Sequence, residues 1–294
     1  MKQYNDIVEN VLNNGILKEN RTGINTYSTF CEIFRHDMRT GFPLLTTKKM
    51  PYRTIAVELE GFISGITSKS WYKERGCNIW NEWANPKAMD HLIGQSNFDD
   101  ESIKILQKTE DYLGPIYGYQ WRNWNKTYGC EDCGTSPESD QLATVINKLK
   151  TNPDDRRMVV SAWNPEQMDM MALPPCHYSF TIVHLNGVLN LCWKQRSADL
   201  MLGVPFNIAS YGLLLELISK EVGMIAGELV GILEDCHIYE NHIDGAKEQL
   251  SRNPKKLPTL SIHEPYDIYS WTHRDFDILN YECHEKINFG QVAV

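Results

Sequence analysis

The sequence predicts an α/β protein of the α+β type, and three observations carry that reading. Apolar residues recur at helical spacing over residues 2–15, 51–65 and 208–222. Strand-rich segments occupy 26–35 and 158–163. Residues 179–195 hold two apolar runs on either side of Asn186-Gly187, the pair that best fits a two-residue hairpin turn. At 294 residues the chain is long enough for one large domain or two small ones, with a sizeable core. A net charge of −9 argues against a general binder of nucleic acid or membrane surfaces, so an anionic ligand has to be met by a local cluster of arginines. No run of 18 apolar residues occurs, and polar Lys2-Gln3-Tyr4-Asn5-Asp6 follows Met1, so neither a membrane span nor a signal peptide is expected. The eight cysteines then read as thiols of a reducing cytoplasm.

The first helix shows Tyr4, Ile7, Val8, Val11 and Leu12 on one stripe and stops at Asn13-Asn14-Gly15. Arg21 lies in a polar loop before the strand at 26–35. Gly41-Phe42-Pro43 breaks the chain ahead of the 51–65 helix, whose apolar face carries Ile55, Leu59, Phe62 and Ile63, with Glu58 on its flank. Such an acid is usually solvated; turned into a pocket, its pKa would rise and suit proton transfer. Trp71, Trp80 and Trp83 form an aromatic group, a core cluster or a wall for a flat ring. Residues 85–112 are polar, with a short helix near 101–112, and 123–141 contain Cys130-Glu131-Asp132-Cys133, half of a zinc motif with no second half nearby, so no metal is expected. A helix at 141–150 leads through Asp155-Arg156-Arg157 into the strand at 158–163. Residues 255–291 read as closing strands and loops, after a helix carrying His242, Gln249 and Arg252.

Residues 171–211 organise the rest. Pro174 and Pro175 remove two backbone donors and fix φ, so the chain reaches Cys176 stiff and extended at a strand start. A thiol with an ordinary pKa of about 8.5 needs positive charge nearby to be a nucleophile at neutral pH. The hairpin that follows returns Arg196 to the same end as Cys176. A single cysteine is more often a small buried hydrophobe, so spacing alone leaves both readings open.

The residues here resemble those of the folate-dependent thymidylate synthases. Pro175-Cys176-His177, Gln195-Arg196-Ser197-Ala198-Asp199 and Leu202-Gly203-Val204-Pro205-Phe206-Asn207 carry the likeness. It extends to Arg21-Thr22-Gly23, Thr46-Thr47-Lys48-Lys49, Arg156-Arg157, His237-Ile238-Tyr239 and Val292-Ala293-Val294. The resemblance covers nearly the whole chain and implies one catalytic domain over 1–294 with insertions at about 85–112 and 123–141. It also implies a large mixed sheet forming a homodimer contact, with helices packed on the other face.

By that resemblance Cys176 is the nucleophile, Glu58 and Tyr117 move protons, Arg196 holds phosphate and lowers the thiol pKa, and Asp199 fixes the pterin. Asn207 reads uracil, so the nucleotide is dUMP; a carboxylate there would favour cytosine. Arg21, Gln195, Arg196, Ser197 and Asp199 belong to the dUMP site, with His237 and Tyr239 at the ribose. Arg156 and Arg157 reach the partner subunit's phosphate. For 5,10-methylenetetrahydrofolate the resemblance implies Lys48, Ile79, Trp80, Trp83, Leu173, Asp199, Leu202, Gly203, Phe206, Ala293 and Val294. The implied activity is reductive methylation of dUMP to dTMP, with no membrane or nucleic acid required.

The chain departs from the family pattern at Glu60-Gly61, where an apolar residue and tryptophan are familiar, at Asn81 for aspartate, and at Leu233-Glu234 for glycines in a supposed loop. The first and last of these keep a deoxyuridylate hydroxymethylase in view, with water replacing hydride. An inactive homologue that binds nucleotide or RNA is the rival from another class.

Overall fold

The computed structural model describes residues 1–84, 93–94, 99–109, 111–124, 139–264 and 266–290. The Cys130 to Cys133 segment, the C-terminal Ala293-Val294, nearly half of the expected insertion at 85–112 and most of the one at 123–141 lie outside these. In chain order the elements begin α1 (Lys2–Asn14), β1 (Ile16–Lys18), β2 (Thr26–Asp37), α2 (Tyr52–Ile63), α3 (Lys69–Glu74), α4 (Asp100–Thr109), α5 (Tyr117–Asn123) and α6 (Gln141–Thr151). They continue with β3 (Val159–Ser161), β4 (His177–Leu185), β5 (Val188–Asp199), α7 (Gly203–Glu221), β6 (Ile225–Tyr239), α8 (Ile243–Ser251), β7 (Thr259–Ile262) and β8 (Phe276–Leu279).

The architecture is mixed α/β, with six strands hydrogen-bonded in the order β1, β2, β6, β5, β4, β3 and a separate antiparallel pair, β7 and β8. Backbone contacts group the chain into two compact units. One comprises Met1–Tyr52, Phe180–Tyr266 and Arg274–Val294, and the other Arg53–Ser179 with Asp267–His273.

In the first unit, the turn signal acts as expected: Asn186 and Gly187 take φ of 51° and 80°, the paired left-handed conformation of a tight hairpin, and connect β4 to β5. From β5 the chain crosses through α7 to β6, which lies parallel to β5 from Val188↔Ile225 to Asp199↔His237. A parallel pair needs such a crossover, and the helix that supplies it is buried on nearly every side. Trp193 of β5 stacks on Tyr211 of α7 at 5.2 Å and 9°, joining sheet to helix. β2 pairs antiparallel with β6 from Thr26↔Tyr239 to Asp37↔Glu228, interrupted at Cys31, which has φ 62°. Leu233 and Glu234 therefore sit within a strand and not a loop: Leu233 is buried and paired with Glu32. α1 buries Tyr4, whose hydroxyl donates to the Leu200 carbonyl at 2.6 Å.

In the second unit, α2 is buried along Ile55–Ile63, acids included. Phe62 meets Tyr117 of α5 at 5.0 Å and Trp121 at 5.6 Å. α6 is capped by the Asp140 side chain, which accepts from Ala143 N–H, and buries Leu142, Val145, Ile146 and Leu149. The Asp267–His273 excursion joins this unit: Ile268 and Trp271 are buried, and Arg122 lies 4.9 Å over the Tyr269 ring. Among the described residues no helix is long and apolar enough to cross a membrane.

Candidate active site

The predicted site residues fall in both units, and each set has its own chemistry. In the second unit the chain emerges from Pro174-Pro175 and starts β4 at His177, so Cys176 stands at a strand start as its prolines predict. Its side chain is half-buried. The first backbone donor after the prolines, Cys176 N–H, is taken by the Tyr117 hydroxyl at 2.8 Å. That phenol ring is the hub of the cluster. It stacks on His177 at 4.3 Å and on Phe62 at 5.0 Å, and meets Trp80 edge-on at 6.0 Å. Tyr117, Trp80 and His177 are all buried.

Glu58 is buried on α2, and its pKa is pushed up to about 7 by loss of water, with the Trp80 indole pulling it back. That pull is weak, since Trp80 Nε1 has no hydrogen-bond partner in ordinary geometry. A carboxyl poised near neutrality suits proton transfer in both directions. His177 is pushed down to about 3 by burial and is neutral beside the thiol. The cluster thus holds a partly accessible thiol, an acid near its midpoint and a neutral imidazole. The remaining residues of this unit expected at folate are Ile79, which is 37% exposed, and half-buried Trp83 and Leu173. Arg156 and Arg157 are exposed, and Arg157 makes a forked pair with Asp155 at 3.0 and 3.2 Å.

In the first unit, β5 carries Gln195, Arg196, Ser197 and Asp199 along its last turns, and α7 carries Leu202-adjacent Gly203, Phe206 and Asn207. Gln195 is buried and engaged within the strand: its amide accepts from Trp193 Nε1 at 3.1 Å and donates to Ser197 O at 3.0 Å. Arg196, Ser197, Asp199, Leu202, Gly203, Phe206 and Asn207 are half-buried. One Asp199 oxygen accepts from Met201 N–H at 2.9 Å and Leu202 N–H at 3.3 Å, which fixes the turn into α7. The helix starts at Gly203, five residues ahead of the expected Ile208, so Asn207 is inside its first turns and is not an N-cap. Pro205 is tolerated there because donors of the first turn have no helical partner.

Lys48 is buried, donates to the Met201 carbonyl and lies 4.7 Å over the Phe289 ring. Burial lowers its pKa to about 8 against the pull of Asp199. Buried His237 donates from Nδ1 to the Asp235 carbonyl at 3.0 Å, with the Asp235 carboxylate 3.7 Å away. Burial alone would lower its pKa, but the Asp235 and Asp199 interactions outweigh it and the net direction is upward. Tyr239 meets the His237 ring edge-on at 5.3 Å, and Arg21 is exposed in its turn.

Sequence reading missed four partners. Asp235 and Lys18 stand behind His237, with Lys18 Nζ 2.5 Å from the Asp235 carboxylate. Tyr72 packs over Gly61; a glycine inside a helical pattern was the available signal for such a close approach. His273 meets Glu60: its backbone N–H and its Nδ1 both donate to one Glu60 oxygen, at 2.8 and 2.6 Å. Nothing in 213 residues of separation announces that pair. Among the described residues no three His, Cys, Asp or Glu side chains group as a metal site.

A mixed sheet, with a half-buried thiol and a buried, near-neutral acid in one compact unit, fits an α/β enzyme suited to nucleophilic catalysis. The sequence model of the thymidylate synthase family matches residues 2–294, and the chain belongs to that family. These are transferases of nucleotide biosynthesis that bind dUMP and use methylenetetrahydrofolate as co-substrate.

Proposed function

We propose that this chain catalyses the reductive methylation of dUMP to dTMP, as one 1–294 catalytic domain acting in a cytoplasmic homodimer. The observation that carries the reading is the Tyr117 hub. One ring holds the backbone of Cys176, packs against the helix that bears Glu58, and contacts Trp80. Covalent activation of a pyrimidine needs a nucleophile and a proton-transfer group held in fixed relation, and a shared rigid ring provides that.

In the proposed mechanism the Cys176 thiolate adds to C6 of uracil, which moves electron density to C5 and makes that carbon a nucleophile. Arg196, Arg21 and the partner subunit's copies of Arg156 and Arg157 hold the phosphate by forked, charge-assisted hydrogen bonds. Arg196 also favours the thiolate. Asn207 gives and accepts hydrogen bonds at the uracil edge, and His237 and Tyr239 bond the ribose. Glu58 and Tyr117 handle the proton that leaves C5 and the one that neutralises the enolate oxygen. Elimination of Cys176 restores the ring and releases product. Methylenetetrahydrofolate supplies the one-carbon unit and the hydride. Exposed Ile79 beside Trp80, and half-buried Leu202, Gly203 and Phe206, are suited to a flat pterin, with Lys48 and Asp199 as its polar partners. Ala293 and Val294 complete the set by excluding water. The homodimer reading draws support from apolar side chains left on the strands, Phe30 at 87% exposure and Leu185 at 61% among them.

Hydride transfer is favoured over hydration because both departures that pointed to a hydroxymethylase have structural uses. Glu60 is occupied by His273, and Leu233 is buried in β6. Incubation with dUMP and the methylene folate tests this: dihydrofolate absorbance rises in step with dTMP. A hydroxymethyl product without dihydrofolate replaces the synthase reading with the hydroxymethylase one.

A further inference from the structure

We propose that Tyr72, seated over Gly61, is a positioning residue that walls Glu58 from water and so sets the pH range in which the acid transfers protons. This rests on the catalytic reading of Glu58 given above. Glu58 and Gly61 are three residues apart on α2 and share one face of the helix. A Cβ at Gly61 would stand 2.3 Å from Tyr72 Cε1 and 2.4 Å from its hydroxyl, so the ring lies directly on the helix surface that carries the acid. The ring is fully buried and meets Trp80, whose indole interacts with Glu58, at 6.3 Å and 39°. Trp71 closes the other edge at 5.1 Å, and the hydroxyl donates to Ile66 O at 3.3 Å, which fixes the ring without offering its proton to Glu58.

Apart from the pull of the Trp80 indole, the groups around the acid give its charge no support. Burial and then the Glu58 charge raise both the Tyr72 phenol and the Cys77 thiol, the latter to about 12, so both face the acid as neutral groups. Glu60, on the same helix, is taken up by His273. On the Phe62 and Tyr117 side lies His177, neutral through its own burial. With no cation among these groups, exclusion of water is what holds the Glu58 proton, and the buried Tyr72 ring on the Gly61 face is part of what excludes it. The mid-helix glycine is therefore a socket: a larger residue at 61 would displace the ring.

The test is the pH dependence of kcat/KM, with a carbon-13 carboxyl titration of Glu58 as a readout that needs no turnover. Wild type shows a limb near pH 7, and Glu58→Gln removes it. Tyr72→Ala moves the limb and the titration to lower pH by about 1 unit or more. It lowers kcat about 10-fold, less than the roughly 10²- to 10⁴-fold of losing the acid. Tyr72→Phe leaves the limb in place. Gly61→Ala, which keeps every ring atom but forces the ring outward, shifts it in the same direction and replaces Tyr72→Ala if that variant does not fold. A limb unmoved in both Gly61→Ala and Tyr72→Ala, with only the melting temperature lowered, makes Tyr72 a core filler and overturns the proposal. A limb that survives Glu58→Gln overturns the catalytic reading of Glu58 instead.

Discussion

The surroundings of Tyr117 and those of His237 treat ionisable side chains in opposite ways. Around Tyr117, burial dominates, so Glu58 is driven up towards 7 and His177 down to about 3, and each favours its neutral form. Around His237, burial comes with partners. Asp235 is held well below the ordinary carboxylate range, first by its hydrogen bond to His237 and then by Lys18, and His237 is raised despite its burial. The same desolvation thus yields a reservoir of mobile protons in one region and a fixed charge in the other. The difference lies in whether a counter-charge is within reach. A group meant to change protonation during turnover benefits from the first arrangement, and one meant to hold a polar ligand benefits from the second.

The largest effect expected is at the thiol. Cys176→Ser replaces a polarizable nucleophile by a hydroxyl that stays protonated near neutral pH, and turnover should fall by on the order of 10⁴-fold or more. Binding of dUMP, measured calorimetrically, should persist, since the residues proposed to hold phosphate and base are untouched. Turnover that survives this change would end the covalent reading of the Tyr117 region.

Next in size is a contrast between two acids on one helix. The folded pKa of Glu58, about 7, lies above its ordinary 4.5, so folding favours the protonated acid. Its stabilising effect is complete below pH 4.5 and is lost as pH rises through 7. Glu58→Gln removes that loss, and the variant should be more stable than wild type at pH 8 by on the order of 2 kcal/mol, with the advantage vanishing near pH 4. Glu60→Gln should do the reverse. It weakens an acceptor that serves two donors of His273 in a buried site, and should cost about 1–3 kcal/mol in urea melts at pH 7. If both variants shifted stability in the same direction at pH 8, the distinction between an acid held by a histidine and one dominated by burial would not hold here.

How far the sequence carried depended on whether the cause was local. The turn at Asn186-Gly187, the stripe of α1 and the proline-stiffened approach to Cys176 were all legible, because a few adjacent residues dictate each. Helix α7 was found with its start five residues late, since Gly203 and Pro205 look like loop residues until their place in a first turn is known. Strand β6 went unrecognised. Its buried positions include Gly227 and Gly231 alternating with Leu229 and Leu233, so the period of two is there, but glycine does not register as apolar. It is a central strand, paired on one side with β5 and on the other with β2, and neighbours from elsewhere in the chain supply what its own propensity lacks. Roles in the site came from family resemblance. The supports behind them, Tyr72 over Gly61, His273 at Glu60 and Lys18 at Asp235, depend on contacts between separate segments and left only a mid-helix glycine as a clue.

The smallest effect expected concerns His237, where the two regions can be made alike. Nδ1–H is committed to the Asp235 carbonyl, so a neutral ring leaves Nε2 as a bare acceptor, whereas the cation presents Nε2–H as a donor. Asp235→Asn keeps the backbone carbonyl but removes the carboxylate, leaving burial as the dominant influence, and the His237 pKa should fall below 6.5 in a proton NMR titration. Because the raised wild-type pKa stabilises the fold below 6.5 and that gain is lost as pH rises through it, and the depressed Asp235 pKa stabilises above 3.8, wild type should exceed the variant in stability most between these values. A lower His237 pKa presents the Nε2–H donor to the ribose hydroxyl only at more acidic pH, so the pH above which KM for dUMP rises should move down while kcat changes little. A His237 pKa that stayed above 6.5 in Asp235→Asn would mean that Asp199, and not the neighbouring carboxylate, raises it.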